Sequence, residues 1–166
     1  MAHHGKKAPL MDLKTKPRKV LYISPNSQLG GAEQVTFLLA KYHRRERWIP
    51  EVYFFSDGPL VAQVKKEGVT CHIYPGGRHR LKIPMDVIRT ARDLAKVAKD
   101  HNIDLLHSVM SYGHIFGGLA SQIARVPEVW FQHGPTGHLD WLAGRIPTRT
   151  IFVNSHYTMS RQKPYH

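Results

Sequence analysis

The chain has 166 residues, the size of one ordinary domain, and its 42% hydrophobic content, with three Trp and six Phe, suffices for a buried core. A single cysteine, Cys71, excludes an internal disulfide, and no apolar run approaches the ~20 residues that span a bilayer. The net charge of +12, from 24 Lys and Arg against 12 Asp and Glu, favours anionic partners: nucleotide phosphates, nucleic acid or acidic lipid. These features read as a cytoplasmic protein, with peripheral contact to an anionic membrane as an extension of that reading.

Lys6, Lys7, Lys14, Lys16, Arg18 and Lys19 precede or open the first apolar run, in a stretch without periodicity that begins Met-Ala-His-His, like an affinity-tag remnant. Residues 1–17 are expected to be a disordered basic leader, and residues 18–166 one domain. Val20–Ile23 is a continuous apolar run, expected of a strand buried on both faces of a parallel sheet. Ser24-Pro25-Asn26 stops it, and Gly30-Gly31 opens an amphipathic helix to Tyr42. Glycines at a helix start let a ligand approach backbone amides that carry partial positive charge, so this stretch is a candidate phosphate cradle.

Val52–Phe55 reads as a second strand, stopped by Asp57-Gly58-Pro59; Leu60–Glu67 reads as a helix closed by Gly68, and Val69–Tyr74 as a third strand. A basic loop, Pro75–Arg80, leads to a helix from Pro84. Its apolar Val87, Ile88, Ala91, Leu94, Ala95 and Ala98 oppose a basic stripe of Arg89, Arg92, Lys96 and Lys99, ordinarily a solvated face. His101-Asn102 ends it. Ile103–Val109 is a fourth strand, and Tyr112–Ala124 a helix with Ile115, Phe116, Leu119, Ala120 and Ile123 inward and Gly117-Gly118 permitting close approach to the sheet. Val129–Phe131 is a fifth strand running into Gln132-His133-Gly134-Pro135. A polar loop with Trp141 follows, then a sixth strand, Thr150–Val153, ending in Asn154-Ser155-His156, after which a final helix would normally follow.

Strands alternating with helices at short intervals imply α/β architecture: a doubly wound, Rossmann-like parallel sheet of six strands in the order 3-2-1-4-5-6. Ligands bind such sheets beyond the carboxyl ends of strands 1 and 4. Gly30, Gly31, His107, Ser108, Tyr112, His133, Gly134, Asn154 and Ser155 therefore form the candidate set. A strand-end histidine is more often structural than catalytic; His133 is the better candidate, because Gly134 and Pro135 force a turn that aims the imidazole into the crevice.

Familiar templates fail. Adjacent glycines followed by Ala32 and Glu33, after a long Pro25–Gly30 loop, do not fit the dinucleotide fingerprint, although Asp57 could serve as its acid, and no G-K-[ST] occurs. No metal is expected, since HExxH and cysteine pairs are absent and His133 and His138 lack a carboxylate at ligand spacing. The other function class is a non-catalytic basic module for an anionic membrane surface or nucleic acid; aromatics are not interleaved with the basic runs, which disfavours nucleic acid.

The ordered series Gly30-Gly31-Ala32-Glu33, Asp104-Leu105-Leu106-His107-Ser108, Trp130-Phe131-Gln132-His133-Gly134 and Phe152-Val153-Asn154-Ser155 resembles the N-terminal, acceptor-side domain of retaining glycosyltransferases of family 4, built on the two-domain GT-B architecture. The resemblance runs from Arg18 to Lys163. It implies a hexosyltransferase-type enzyme with a nucleotide-sugar donor, no cofactor and no metal, whose diphosphate lies against Gly30 and Gly31 with His133 beside the transferred sugar. His107, Ser108, Tyr112, His114, Arg78 and Arg80 become candidate contacts to a glycan or lipid-linked acceptor. Family members carry a second α/β domain that holds the nucleotide, so the resemblance also implies a domain excerpt, a truncated product or half of a split enzyme, inactive without that domain in cis or in trans.

Overall fold

The computed structural model describes residues 16–76, 80–134 and 137–162. Most of the basic leader, Arg78 of the basic loop and Pro135 of the turn after the fifth strand lie outside them. The elements run β1 (Arg18–Ser24), α1 (Gly31–Tyr42), β2 (Trp48–Phe54), α2 (Pro59–Lys66), β3 (Thr70–Ile73), α3 (Pro84–Asp100), β4 (Leu105–Val109), α4 (Met110–Ala124), β5 (Glu128–Gln132), α5 (Asp140–Ala143), β6 (Ile151–Val153) and α6 (His156–Gln162). All strands pair in parallel, in the order β3-β2-β1-β4-β5-β6. That is the doubly wound order expected, with its reversal between β1 and β4.

Alternation along the strands divides the core. Val20, Tyr22, Val52 and Phe54 face α1 and α2, meeting Ala40, Leu60, Val61 and Val64. Leu21, Ile23, Tyr53 and Phe55 face α3 and α4, meeting Leu94, Ala98, Phe116 and Ala120. A smaller cluster of Ile115, Trp130 and Ala143 lies under α5. The close approach foreseen for α4 is real: a Cβ at Gly117 would collide with Ser108 Oγ and lie 2.8 Å from Ile23 Cδ1.

Several boundaries differ from the sequence reading, each for a local reason. β2 begins at Trp48 rather than Val52, because its first residues pair with β1 (Arg18↔Trp48, Val20↔Pro50) before β3 joins at Glu51. Pro50 is tolerated where β2 has no β3 neighbour. The loop around Trp141 contains the short helix α5, and α6 does follow β6, with Ser155 Oγ accepting the Thr158 amide at 3.1 Å as an N-cap. Ile88 and Ile123, expected inward, are 41% and 43% exposed, since both lie at the margin of their helix's sheet-facing stripe. Arg89, Arg92, Lys96 and Lys99 are all exposed. Among the described residues, no helix is long and apolar enough to cross a membrane.

Candidate functional site

α1 starts at the carboxyl end of β1, where the winding reverses. Gly30 is its cap residue and supplies no side chain; the first helical bond runs from Gln34 N to Gly30 O at 2.9 Å. The amides of Gly31, Ala32 and Glu33 thus precede the helical ladder and are available to an anion. The two glycines are not equivalent. A Cβ at Gly30 would collide with the Glu33 carboxylate, which folds back over it, whereas a Cβ at Gly31 would meet nothing within 4 Å. Gly31 is exposed and Gly30 half-buried. Glu33 itself is buried, so the positive end of α1 is partly offset by its own acid, and the open approach is over Gly31. The loop before the helix is pinned by buried Ser27, whose hydroxyl donates to the Asp57 carbonyl at 2.9 Å.

At the end of β5, Gln132 turns into the interior. Its Oε1 accepts from Trp130 Nε1 at 3.2 Å and its Nε2 donates to the Gly134 carbonyl at 3.3 Å, clasping the turn that carries His133. The His133 ring lies against Phe131, centroids 3.9 Å apart, and Asn154 Nδ2 donates to the His133 carbonyl at 2.5 Å. Its Nε2 is buried and has no hydrogen-bond partner among the described residues. Burial pushes the His133 pKa down, so the ring is neutral at physiological pH and keeps one nitrogen for a ligand.

His107 lies two residues before the end of β4, its ring 4.9 Å from Tyr22 and 5.9 Å from Phe131. Burial lowers its pKa from 6.5 to about 4. In the pH interval between those values the unfolded chain binds a proton that the folded chain refuses. His107 should therefore contribute full stability above pH 6.5 and lose up to roughly 3 kcal/mol as pH falls toward 4. Urea unfolding at a series of pH values measures this, and His107→Asn should flatten the acid limb.

The other predicted contacts divide. Tyr112, half-buried against Phe55 and Phe116, helps line a hollow of 180 Å³ at the ends of β4 and β5, with Ser111, Gln132, His138 and Asp140. Ser108 is fully buried beneath Gly117 on the α4 side of the sheet and faces no crevice. His114 is also fully buried: it stacks on Trp130 at 4.5 Å, with Nδ1 3.0 Å from Glu128 Oε1 and Nε2 3.2 Å from the Ala143 carbonyl. Its ring belongs to the core. Arg80 is exposed and reaches Asp86 at 2.9 Å, at the head of α3.

Three residues passed over in the sequence build the floor. Asp140 is buried, with Oδ1 taking the Gln162 amide at 3.1 Å and Ser111 Oγ at 2.9 Å; the same hydroxyl lies 3.2 Å from Gln132 Oε1. This network ties α4, α5 and α6 under the His133 turn. The available hint was an acid three residues after Gly137 in a loop otherwise read as solvated. Met110, where β4 becomes α4, has φ of 59°, a left-handed conformation uncommon for its side chain and typical of strained turns at sites. A hollow of 590 Å³ lies between the far end of α1 and the start of β2, at the amino ends of the strands and away from the crevice.

Comparison with known proteins agrees with this architecture. The chain superposes on HepE of Anabaena, determined in complex with UDP and glucose, with a TM-score of 0.69 and 17% identity over 89% of this chain and 41% of HepE. It also superposes on the lipopolysaccharide outer core galactosyltransferase WaaB (TM-score 0.65, 12% identity, 89% of this chain and 42% of that one). A UDP-N-acetylglucosamine 2-epimerase matches as well (0.68, 13%, 90% and 45%), so the fold by itself does not separate transfer from epimerisation. The chain spans less than half the length of each of these. No curated protein matches it by sequence. The model of Glycosyltransferase Family 4 matches residues 29–161, which takes in the α1 cradle, β4, the His133 turn and Asn154. The chain therefore belongs to glycosyltransferase family 4, and its fold is that of the N-terminal half of a GT-B glycosyltransferase.

Proposed function

We propose that this domain is the acceptor-side half of a retaining glycosyltransferase, which transfers a sugar from a nucleotide-sugar donor to a glycan or lipid-linked acceptor. The observation that carries the reading is His133, neutral and half-buried, with an unpartnered Nε2 at the strand end next to the winding reversal. In the reaction the bond between the sugar's anomeric carbon and the leaving oxygen breaks, and negative charge develops on the β-phosphate. The acceptor hydroxyl bonds to the same face of that carbon, and its proton passes to the departing phosphate oxygen. Amides at Gly30 and Gly31 stabilise the developing charge, and His133 hydrogen-bonds the transferred sugar. Tyr112, with the hollow it helps line, contacts the acceptor, while Ser108 and His114 are left to the core. The donor nucleotide is held by a second domain, in cis or in trans, without which this half binds but does not turn over. No metal takes part in the transfer step.

Isothermal titration with UDP, other nucleoside diphosphates and candidate acceptors tests this assignment. Gly31→Val fills space that is open in the folded chain, so it obstructs a ligand without a clash inside the protein. His133→Ala removes one hydrogen bond, expected to weaken binding roughly two- to tenfold. Affinity unchanged in both variants would remove the site from these residues. A peripheral membrane contact is favoured by the exposed basic stripe on α3. Its signature is binding to anionic vesicles that falls steeply with salt and with charge reversal at Arg92 and Lys96.

A further inference from the structure

Glu51 occupies the middle of β2 and is 3% exposed, between Leu21 of β1 and Thr70 of β3. A carboxylate there costs free energy unless it is compensated, and three groups from distant parts of the chain converge on it. Lys19 Nζ lies 3.0 Å from Oε1. His72 Nε2, from β3, and His101 Nδ1, just after α3, lie 2.7 Å and 2.9 Å from Oε2. The two imidazoles meet edge to face, centroids 4.3 Å apart. Burial would raise the Glu51 pKa, but hydrogen bonds from His72 and Lys19 and the Lys19 charge outweigh it and hold the group below its ordinary value, as a carboxylate.

We propose that Glu51, His72 and His101 form a binding site for a first-row divalent metal ion, with zinc the best match, which clamps β2, β3 and the end of α3 together. One ligand atom from each residue already lies within 4.8 Å of the others. Two imidazole nitrogens and one carboxylate oxygen, with a fourth position left for water, are a donor set that suits zinc; magnesium and calcium favour oxygen alone. Zinc–ligand distances near 2.0–2.1 Å in tetrahedral geometry put donor atoms about 3.3 Å apart, so the present contacts need open by only about 0.5 Å. An imidazole presents a lone pair to a metal when its proton sits on the other ring nitrogen, and Glu51 is held as a carboxylate. Entry is from the His101 side, whose side chain is 37% exposed against 13% for His72 and 4% for Glu51. Lys19, 32% exposed, can swing toward water as the ion takes over charge compensation. His101 caps the carboxyl end of α3, toward the amino ends of the strands, so this site is separate from the His133 crevice and does not rest on the reading proposed for it.

No local motif announces the cluster, because its members stand at 51, 72 and 101 and meet only through the β2–β3 register and the length of α3. Cobalt(II) titration of the full chain, in a His3→Ser/His4→Ser background that removes the leader imidazoles, tests the proposal. The expected result is one equivalent of cobalt with the intense visible ligand-field bands of a tetrahedral site, displaced by zinc, and a thermal midpoint raised by zinc. His101→Asn, whose ring is the most exposed of the three ligands, should weaken cobalt binding by more than the roughly 10–100-fold that outer-sphere partners cost. Histidine-ring NMR of the wild type, which needs no variant to fold, should show one equivalent of zinc fixing the tautomers of His72 and His101. Affinity unchanged in His101→Asn, a lack of tetrahedral bands, or ring resonances of His72 and His101 unmoved by zinc would each overturn the site and leave a plain ion-pair network.

Discussion

Replacing His114 by alanine is expected to cost roughly 3–5 kcal/mol of unfolding free energy, because it strands a buried acid. The Glu128 side chain is fully buried, its Oε1 lies 3.0 Å from His114 Nδ1, and its Oε2 has no partner among the described residues. Since His114 Nε2 lies 3.2 Å from the Ala143 carbonyl and donates to it, one proton between Nδ1 and Oε1 joins ring and carboxyl, whichever of them carries it. Removing the ring deletes that bond and the stack on Trp130 together. Urea unfolding gives the loss directly. The double variant His114→Leu/Glu128→Met should be far less damaging than His114→Ala, since a well-packed apolar pair can replace a buried hydrogen-bonded ionisable pair at little net cost. A small effect of His114→Ala on stability would return His114 to the list of ligand contacts.

Phe116→Ala is expected to cost roughly 3–5 kcal/mol as well, through loss of apolar burial and the cavity left behind. Phe116 is fully buried, its ring 5.0 Å from Phe55 and 5.3 Å from Tyr112, in the cluster that binds α4 to the sheet centre. Ile123, seven residues later on the same helix and 43% exposed, should cost no more than ~0.5 kcal/mol when truncated, as surface changes usually do. Side-by-side unfolding curves separate the two, and equal losses would contradict the packing described for α4.

That contrast marks what the sequence could and could not say. Periodicity put Phe116 and Ile123 on one inward face, and they do share a helix face; how far the sheet extends beneath it is a tertiary fact that no window of residues contains. The strands announced themselves where apolar runs were continuous, as at Val20–Ile23, and the parallel order followed from short helical crossovers. Trp48–Glu51 was missed as strand because a proline and a buried carboxylate break the apolar signal, although backbone pairing with β1 holds them in the sheet. The strand-end positions of Gly30, Gly31 and His133 were legible because the strand order fixes which ends lie side by side. Ser111, Asp140 and Gln162 were not, because their meaning lies in hydrogen bonds between distant elements. His107, Ser108 and His114 share a strand-end address with His133, but alternation turns Ser108 to the α4 side, and the helical turn after β4 carries His114 into the core.

An amide NMR titration of this chain with a nucleotide-sugar such as UDP-glucose, repeated with Gly31→Val, decides whether a donor meets the start of α1 and His133. Chemical-shift changes are expected to concentrate at Gly30, Gly31, Ala32 and His133, together with the His133 ring resonances, and to be lost in the variant. Changes confined to the α3 stripe around Arg92 and Lys96, or the same changes persisting at the α1 start in Gly31→Val, would contradict that contact.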